Sequence, residues 1–224
     1  MNFFHWVTQQ ANHEPELLNK VLFTDEATFT QNGYFNCHNK HVWANTNPHA
    51  SFVNRNKRQF KINVWLGILG DDLIGPYLLP PNLNGHIFLT FLQETLPEPL
   101  EDVSIVLRLQ MWFQQDGAPA HFTHDILAFL HNSFPDRWIG RRGAVEWPAH
   151  SPDLSPLDYY FWGHLKSLVY ETTVNYPETL VARLVAATEE IRDTPHVFAN
   201  VHQIFTRRCA ACIDCRGCTF EQLL

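Results

Sequence analysis

Three aspartates carry the chemistry that this 224-residue chain offers. Asp25 stands in Val21-Leu22-Phe23-Thr24-Asp25-Glu26-Ala27-Thr28-Phe29. Asp116 stands in Gln114-Gln115-Asp116-Gly117-Ala118-Pro119-Ala120-His121. Asp158 stands in Ser151-Pro152-Asp153-Leu154-Ser155-Pro156-Leu157-Asp158-Tyr159-Tyr160. The first two follow apolar, strand-like runs, and the third opens an aromatic-rich helix. Carboxylates at the mouths of two strands, joined by one on a nearby helix, can hold two divalent ions. Phosphodiester cleavage by two metals needs that arrangement. Each acid also has a plainer reading. Asp25 is a strand-end aspartate with Glu26 as a rival ligand. Asp116 is a turn residue before Gly117. Asp158 is part of a capping pattern with Ser155 and Pro156, and Asp153 rivals it as the third acid. Their joint placement is what points to catalysis. His121 and His150 lie near two of the aspartates. Mg²⁺ prefers oxygen, so positioning or phosphate steering comes ahead of direct ligation for either.

The elements that must position these residues read as follows. Met1 to Lys20 is a leading helix, and Val21 to Phe23 a short buried strand that delivers Asp25. The Asn32-Gly33 pair signals a hairpin, with Tyr34 to Trp43 returning as a strand. Lys61 to Leu69 and Leu73 to Leu79 are two more, joined at Gly70-Asp71-Asp72, where the acids are turn chemistry. The spacing of Ile87, Phe88, Phe91, Leu92 and Leu96 predicts a helix. Leu107 to Phe113 reads as a buried strand with Asp116 beyond it, Thr123 to Asn132 as a helix, and Ala144 to Trp147 as a short strand. Helices follow over Pro156 to Tyr170, Pro177 to Arg192 and Pro195 to Cys212, the last two each opening on a proline. Three antiparallel strands, then strands reached through helices, give an α/β fold: a mixed sheet with helices on both faces, in RNase H-like order. The aromatic run Tyr159-Tyr160-Phe161-Trp162 reads as the core face of the helix that positions Asp158, ahead of a base-stacking platform.

Composition bounds the setting. The chain suits one domain, and its 45% apolar content can fill a core. No apolar run is long enough to span a membrane. The N-terminus lacks the pattern of a signal peptide, so an intracellular setting is expected. A net charge of −7 argues alone against nucleic acid; bound cations reverse the sign at an acidic metal site. Basic residues cluster at Arg55, Lys57, Arg58 and Lys61, at Arg137, Arg141 and Arg142, and at Arg207 and Arg208. Each cluster taken singly reads as solvated surface. Cys209, Cys212, Cys215 and Cys218 are evenly spaced, which is poor zinc or iron–sulfur spacing, and read as ordinary thiols on a terminal helix.

The chain resembles the catalytic domain of mariner-superfamily transposases. The matching stretches are Leu22 to Phe29, Asn63-Val64-Trp65, Leu73 to Tyr77, Gln115 to His121 and, most specifically, Ser151 to Asp158 followed by Trp162-Gly163. The resemblance runs from about Phe4 to the C-terminus. It implies a catalytic and metal-binding triad of Asp25, Asp116 and Asp158, with Asp153 a structural turn residue. Two Mg²⁺ or Mn²⁺ ions would serve DNA strand cleavage and transfer, Asp25 bridging both and the other two holding one each. DNA partners are transposon ends and target DNA, contacted by Lys57, Arg58, Lys61 and His121. The active complex is a homodimer in the nucleus. Three features depart from the pattern. The third acid is Asp where many relatives have Glu. Residues 117 to 157 make the gap before Asp158 longer than in mariner proper, with the excess over Phe134 to Ala144. The paired helix-turn-helix modules that read transposon ends are absent from the 1–224 span. The alternative is a domesticated or truncated remnant that binds DNA or protein without transposing. A nuclease acting on RNA–DNA hybrids shares the fold and metals, but the motifs speak against it.

Overall fold

The computed structural model describes residues 3–14, 16–31, 33, 60–149 and 151–215. Five strands form one sheet in the order β3-β2-β1-β4-β5: β1 (Val21–Thr30), β2 (Lys61–Leu69), β3 (Asp72–Leu79), β4 (Trp112–Gln114) and β5 (Trp138–Ile139). β1, β2 and β3 pair antiparallel, whereas β4 joins β1, and β5 joins β4, in parallel. This is the mixed sheet expected, with the first strand beside the one that leads to Asp116. The strand expected over Tyr34 to Trp43 lies outside the described residues, as do Lys57, Arg58, His150 and Cys218.

Helices cover both faces. α2 (Gly85–Thr90), capped by the Asn84 side chain, and α5 (His124–Ser133), capped by Thr123, pack on one side. Their partners there include Leu22, Trp65, Phe113 and Trp138. The other side carries α6 (Trp162–Val169) and α7 (Pro177–Arg192) over Ala27, Phe29, Val64, Leu66 and Ile68. The same side continues under α1 (Phe3–His13) and α8 (Val197–Asp214), where Phe3 and Phe205 meet Val21 and Phe23. Each fully buried Phe or Leu contributes about 2 kcal/mol, so a sheet packed on both faces is a rigid base for side chains at its rim. Among the described residues no helix is long and apolar enough to cross a membrane.

Four expected elements are corrected. β1 runs on to Thr30 instead of stopping at Phe23. Thr24, Thr28 and Phe29 suit a strand, and one polar pair is too little to end it. The strand expected from Leu107 is a short helix, α4 (Ile105–Gln110), and only Trp112–Gln114 enter the sheet. An apolar run this short does not distinguish helix from strand, and Ile105, Val106 and Leu109 are in fact exposed. The strand expected at Ala144 to Trp147 is a hook closing on β5. Gly140 N–H donates to Val145 O and Gly143 N–H to Gly140 O, each at 3.0 Å, leaving one bridge between Ile139 and Val145. The leading helix ends at His13, short of Lys20.

Candidate active site

Alternation along β1 decides which acid faces where. Successive strand residues point to opposite faces. Phe23, Ala27 and Phe29 belong to the face under α6 and α8, so Asp25 shares that face. Leu22 belongs to the face under α2 and α5, so Glu26 points there. Asp25 Oδ2 accepts a hydrogen bond from Trp162 Nε1 at 2.7 Å, which fixes the carboxylate and leaves its other oxygen to the cavity beside it.

Two buried glutamines hold Asp116 near Asp25. Thr24 O–H donates to Gln114 O at 2.7 Å, and Thr24 N–H donates to the Gln114 side-chain oxygen at 3.1 Å, locking β1 to β4. Gln115 Nε2 donates to His121 O at 3.0 Å and sets the turn after Asp116. Asp116 Oδ1 accepts from Ala118 N–H at 2.9 Å and from His121 Nδ1 at 2.6 Å. His121 Nε2 lies 3.3 Å from Glu26 Oε2, and the ring packs on Phe88 at 4.2 Å. At 4% exposure His121 sits behind the carboxylates. There it bridges Asp116 and Glu26. Burial alone would lower the imidazole pKa, but Glu26 and Asp116 raise it to about 10, so the ring is a cation at neutral pH.

Asp158 lies in a π-helical turn, Leu157–Phe161, that leads into α6. Such turns recur at functional sites. Its N–H reaches Ser155 Oγ at 3.4 Å. Tyr159 O–H donates to Val201 O at 2.9 Å, and Phe161 and Trp162 are buried, anchoring the turn to the sheet and α8 as the core reading expected. Asp153 sits in a separate turn, Pro152–Leu154, whose backbone accepts a hydrogen bond from Arg208.

Asp25, Asp116 and Asp158 line one cavity of about 860 Å³, together with Arg141 and Glu146. Asp153, Glu26 and His121 do not line it. The carboxylates share the lining without meeting at a point: among the described residues no three His, Cys, Asp or Glu groups converge as a metal cage. Their electrostatics are those of uncompensated acid. Burial, then the charges of Asp158 and Glu26, raise the Asp25 pKa to about 8. Burial raises that of Asp158, with Asp116 and Asp153 adding to it against Ser155 and Lys166. For Asp116 the effect of burial is outweighed by His121 and Ala118 N–H, which lower it. Lys166 on α6 feels both Asp158 and Asp25, though burial lowers its own pKa. Oxygen donors with surplus negative charge suit a hard divalent cation.

Lys61 is exposed at the start of β2 and lies outside the cavity lining. Cys209 and Cys212 are buried core thiols on α8, with Cys215 packed against them. Trp162, Gln114, Gln115, Lys166 and Arg141 were not singled out for the site from sequence. Arg141 lay in a basic cluster, Trp162 was read as core, and the others act through contacts distant in the chain.

No protein-family model matches the chain. Over 160 residues, 70% of the chain, it is 27% identical to the transposable element Tcb1 transposase of Caenorhabditis briggsae, and spans about half (52%) of that protein. Its structure superposes on the Mos1 mariner paired-end complex with Mn at a TM-score of 0.75 and 18% identity, covering 98% of this chain and 62% of that one. Against the catalytic domain of Mos1 mariner transposase the TM-score is 0.69 at 18% identity, covering 98% and 92%. Sequence and fold point the same way: the chain is similar to a transposable-element transposase and carries the RNase H-like fold of the Mos1 mariner transposase catalytic domain.

Proposed function

We propose that this chain is the catalytic domain of a DNA transposase, cleaving and transferring DNA strands with two divalent cations, Mg²⁺ or Mn²⁺. The observation that carries the reading is the shared cavity. Asp25 from β1, Asp116 from the turn after β4 and Asp158 from the turn before α6 line it together, in a fold shared with a mariner catalytic domain. These three residues would hold the cations. Held there, two cations would supply the Lewis acidity that makes water or a 3′-hydroxyl a nucleophile and offsets charge on the leaving 3′-oxygen. The chain's own part is orientation. Trp162 aims Asp25, His121 and Ala118 N–H aim Asp116, and the packed turn before α6 fixes Asp158. Solved structures of the Mos1 neighbour include complexes with a transposon end and with Mn or Mg, which supports DNA partners and divalent cations for this chain. Action as a homodimer in the nucleus belongs to the same proposal.

The test is nicking of supercoiled plasmid by the purified chain with Mn²⁺. The parent should nick. Asp25→Asn, Asp116→Asn and Asp158→Asn, each shown folded by thermal melting, should lose roughly 10²–10³ or more in rate. A parent that binds DNA and never nicks moves the non-transposing remnant ahead, and cleavage confined to RNA–DNA hybrids replaces the transposase with a nuclease of another substrate.

A further inference from the structure

We propose that Arg141 is a DNA-phosphate contact of the catalytic cavity, delivered by the hook between β5 and Val145. This rests on reading the cavity as a DNA-cleaving site. Arg141 is the one cationic side chain lining that cavity among the described residues, where it shares the wall with Asp25, Asp116, Asp158 and Glu146. A strand of DNA entering the cavity meets four carboxylates, so a fixed cation at the wall offsets local repulsion at the phosphate it reaches.

The hook is built to hold this side chain still. The Arg141 guanidinium carbon lies 4.1 Å from the centroid of the Phe122 ring. A guanidinium stacked on an aromatic face keeps its N–H edge free for a bidentate phosphate contact. No described carboxylate forms an ion pair with it. The backbone beneath is tightly folded. A Cβ on Gly140 would lie 2.9 Å from Trp138, and one on Gly143 would lie 2.8 Å from Trp138 O, so neither position accepts a larger residue without a shift. Arg142 holds a positive φ of 65°, a strained conformation for a non-glycine residue. Gly117, next to Asp116, faces the Arg141 stem, with 3.7 Å from a Cβ placed there to the Arg141 Cβ.

The measurement is fluorescence anisotropy of a generic duplex DNA, with Ca²⁺ as the divalent cation, over a series of salt concentrations. The proteins are the parent, Arg141→Ala, Arg141→Lys and Arg142→Ala. Arg142 also lies over Phe122, at 5.2 Å, but outside the cavity lining, so it controls for damage to the hook. Loss of one charge-assisted phosphate contact should weaken Arg141→Ala about tenfold. It should also reduce the slope of log affinity against log salt by about one unit. Arg141→Lys should keep the slope, Arg142→Ala should bind like the parent, and all four should melt alike. Parent-like affinity and slope in Arg141→Ala overturn the proposal, as does an equal loss in Arg142→Ala or a parent that binds no DNA. Mn²⁺-dependent nicking by the same preparations separates this from the functional reading. A parent that grips DNA through Arg141 yet never nicks keeps the contact and removes the cleavage. A parent that nicks while Arg141→Ala binds and nicks identically does the reverse.

Discussion

Asp25→Asn should abolish nicking and yet stabilise the metal-free protein, increasingly so as pH rises. The Asp25 carboxyl has a pKa of about 8 in the folded chain against 3.8 as its ordinary value, from burial first and then the charges of Asp158 and Glu26. A raised carboxyl pKa means that the folded state binds the proton more tightly than the unfolded one. Ionising it therefore opposes folding, and stability falls as pH rises from about 4 to about 8, then levels off. At about 1.36 kcal/mol per unit the whole shift sets a ceiling of about 6 kcal/mol. Water in the open cavity screens the charge, so roughly 2 kcal/mol is the expected change between pH 5 and pH 9. Asn is isosteric, can still accept the Trp162 hydrogen bond and carries no charge. Differential scanning calorimetry in EDTA should give near-equal melting temperatures at pH 5, and a variant about 4–8 °C higher at pH 9. His121 and the other groups titrate in both proteins, so the widening of the gap isolates Asp25. Adding Mn²⁺ should raise the parent's melting temperature and leave the variant's almost unchanged, because a ligand stabilises only the form that binds it. A gap that stays constant or narrows as pH rises would refute the account of Asp25 as uncompensated buried charge.

Two further predictions follow from the same geometry. Asp153→Asn should cost about 1 kcal/mol and leave nicking largely intact, whereas Asp158→Asn should melt like the parent and be inactive; a folded but dead Asp153→Asn beside an active Asp158→Asn names the wrong acid. His121→Leu leaves the Glu26 carboxylate buried without its cation and should lose about 3 kcal/mol in denaturant unfolding, while His121→Leu with Glu26→Leu should recover part of that loss, and strictly additive effects would show that the two side chains do not form a pair.

That the three aspartates share one cavity, and the order of the later helices, were legible because each rests on local signals: a strand-like run, a turn after Asp116, a proline at a helix start. What decided between Asp25 and Glu26 was not local. It required knowing that β1 continues to Thr30, so that the two neighbouring acids fall on opposite faces of one strand. The strand's continuation is set by nine residue pairs with β2, from Leu22 with Leu69 to Thr30 with Lys61, and pairing across forty residues leaves no mark in the nearby sequence. The same holds for Trp162. Its place in an aromatic run announced a core residue, and its burial agrees, but its indole N–H meets a carboxylate 137 positions earlier in the chain. His121 is a further case of a setting that only the fold supplies. A histidine near an acid suggested a phosphate contact, and only the packing of Phe88 over its ring reveals that it faces inward.

On the proposed reading the site divides its labour by charge. Asp116 is already compensated, since the buried imidazolium of His121 stands directly behind it and lowers its pKa. Asp25 and Asp158 are not: each is raised by burial, and the charge of Asp158 raises Asp25 further. Lys166 supplies partial relief to both but is itself disfavoured as a cation by burial. A divalent ion entering the cavity displaces the Asp25 proton and relieves the repulsion that raised its pKa, whereas Asp116 is ionised before the ion arrives. Asp116 therefore contributes fixed geometry and a ready carboxylate, and Asp25 becomes a carboxylate ligand by giving up its proton as a cation binds. The chain's net charge of −7 is then no obstacle to a DNA substrate. The acid that dominates the cavity is the part that bound cations neutralise, and the surplus positive charge they bring is what a phosphate meets.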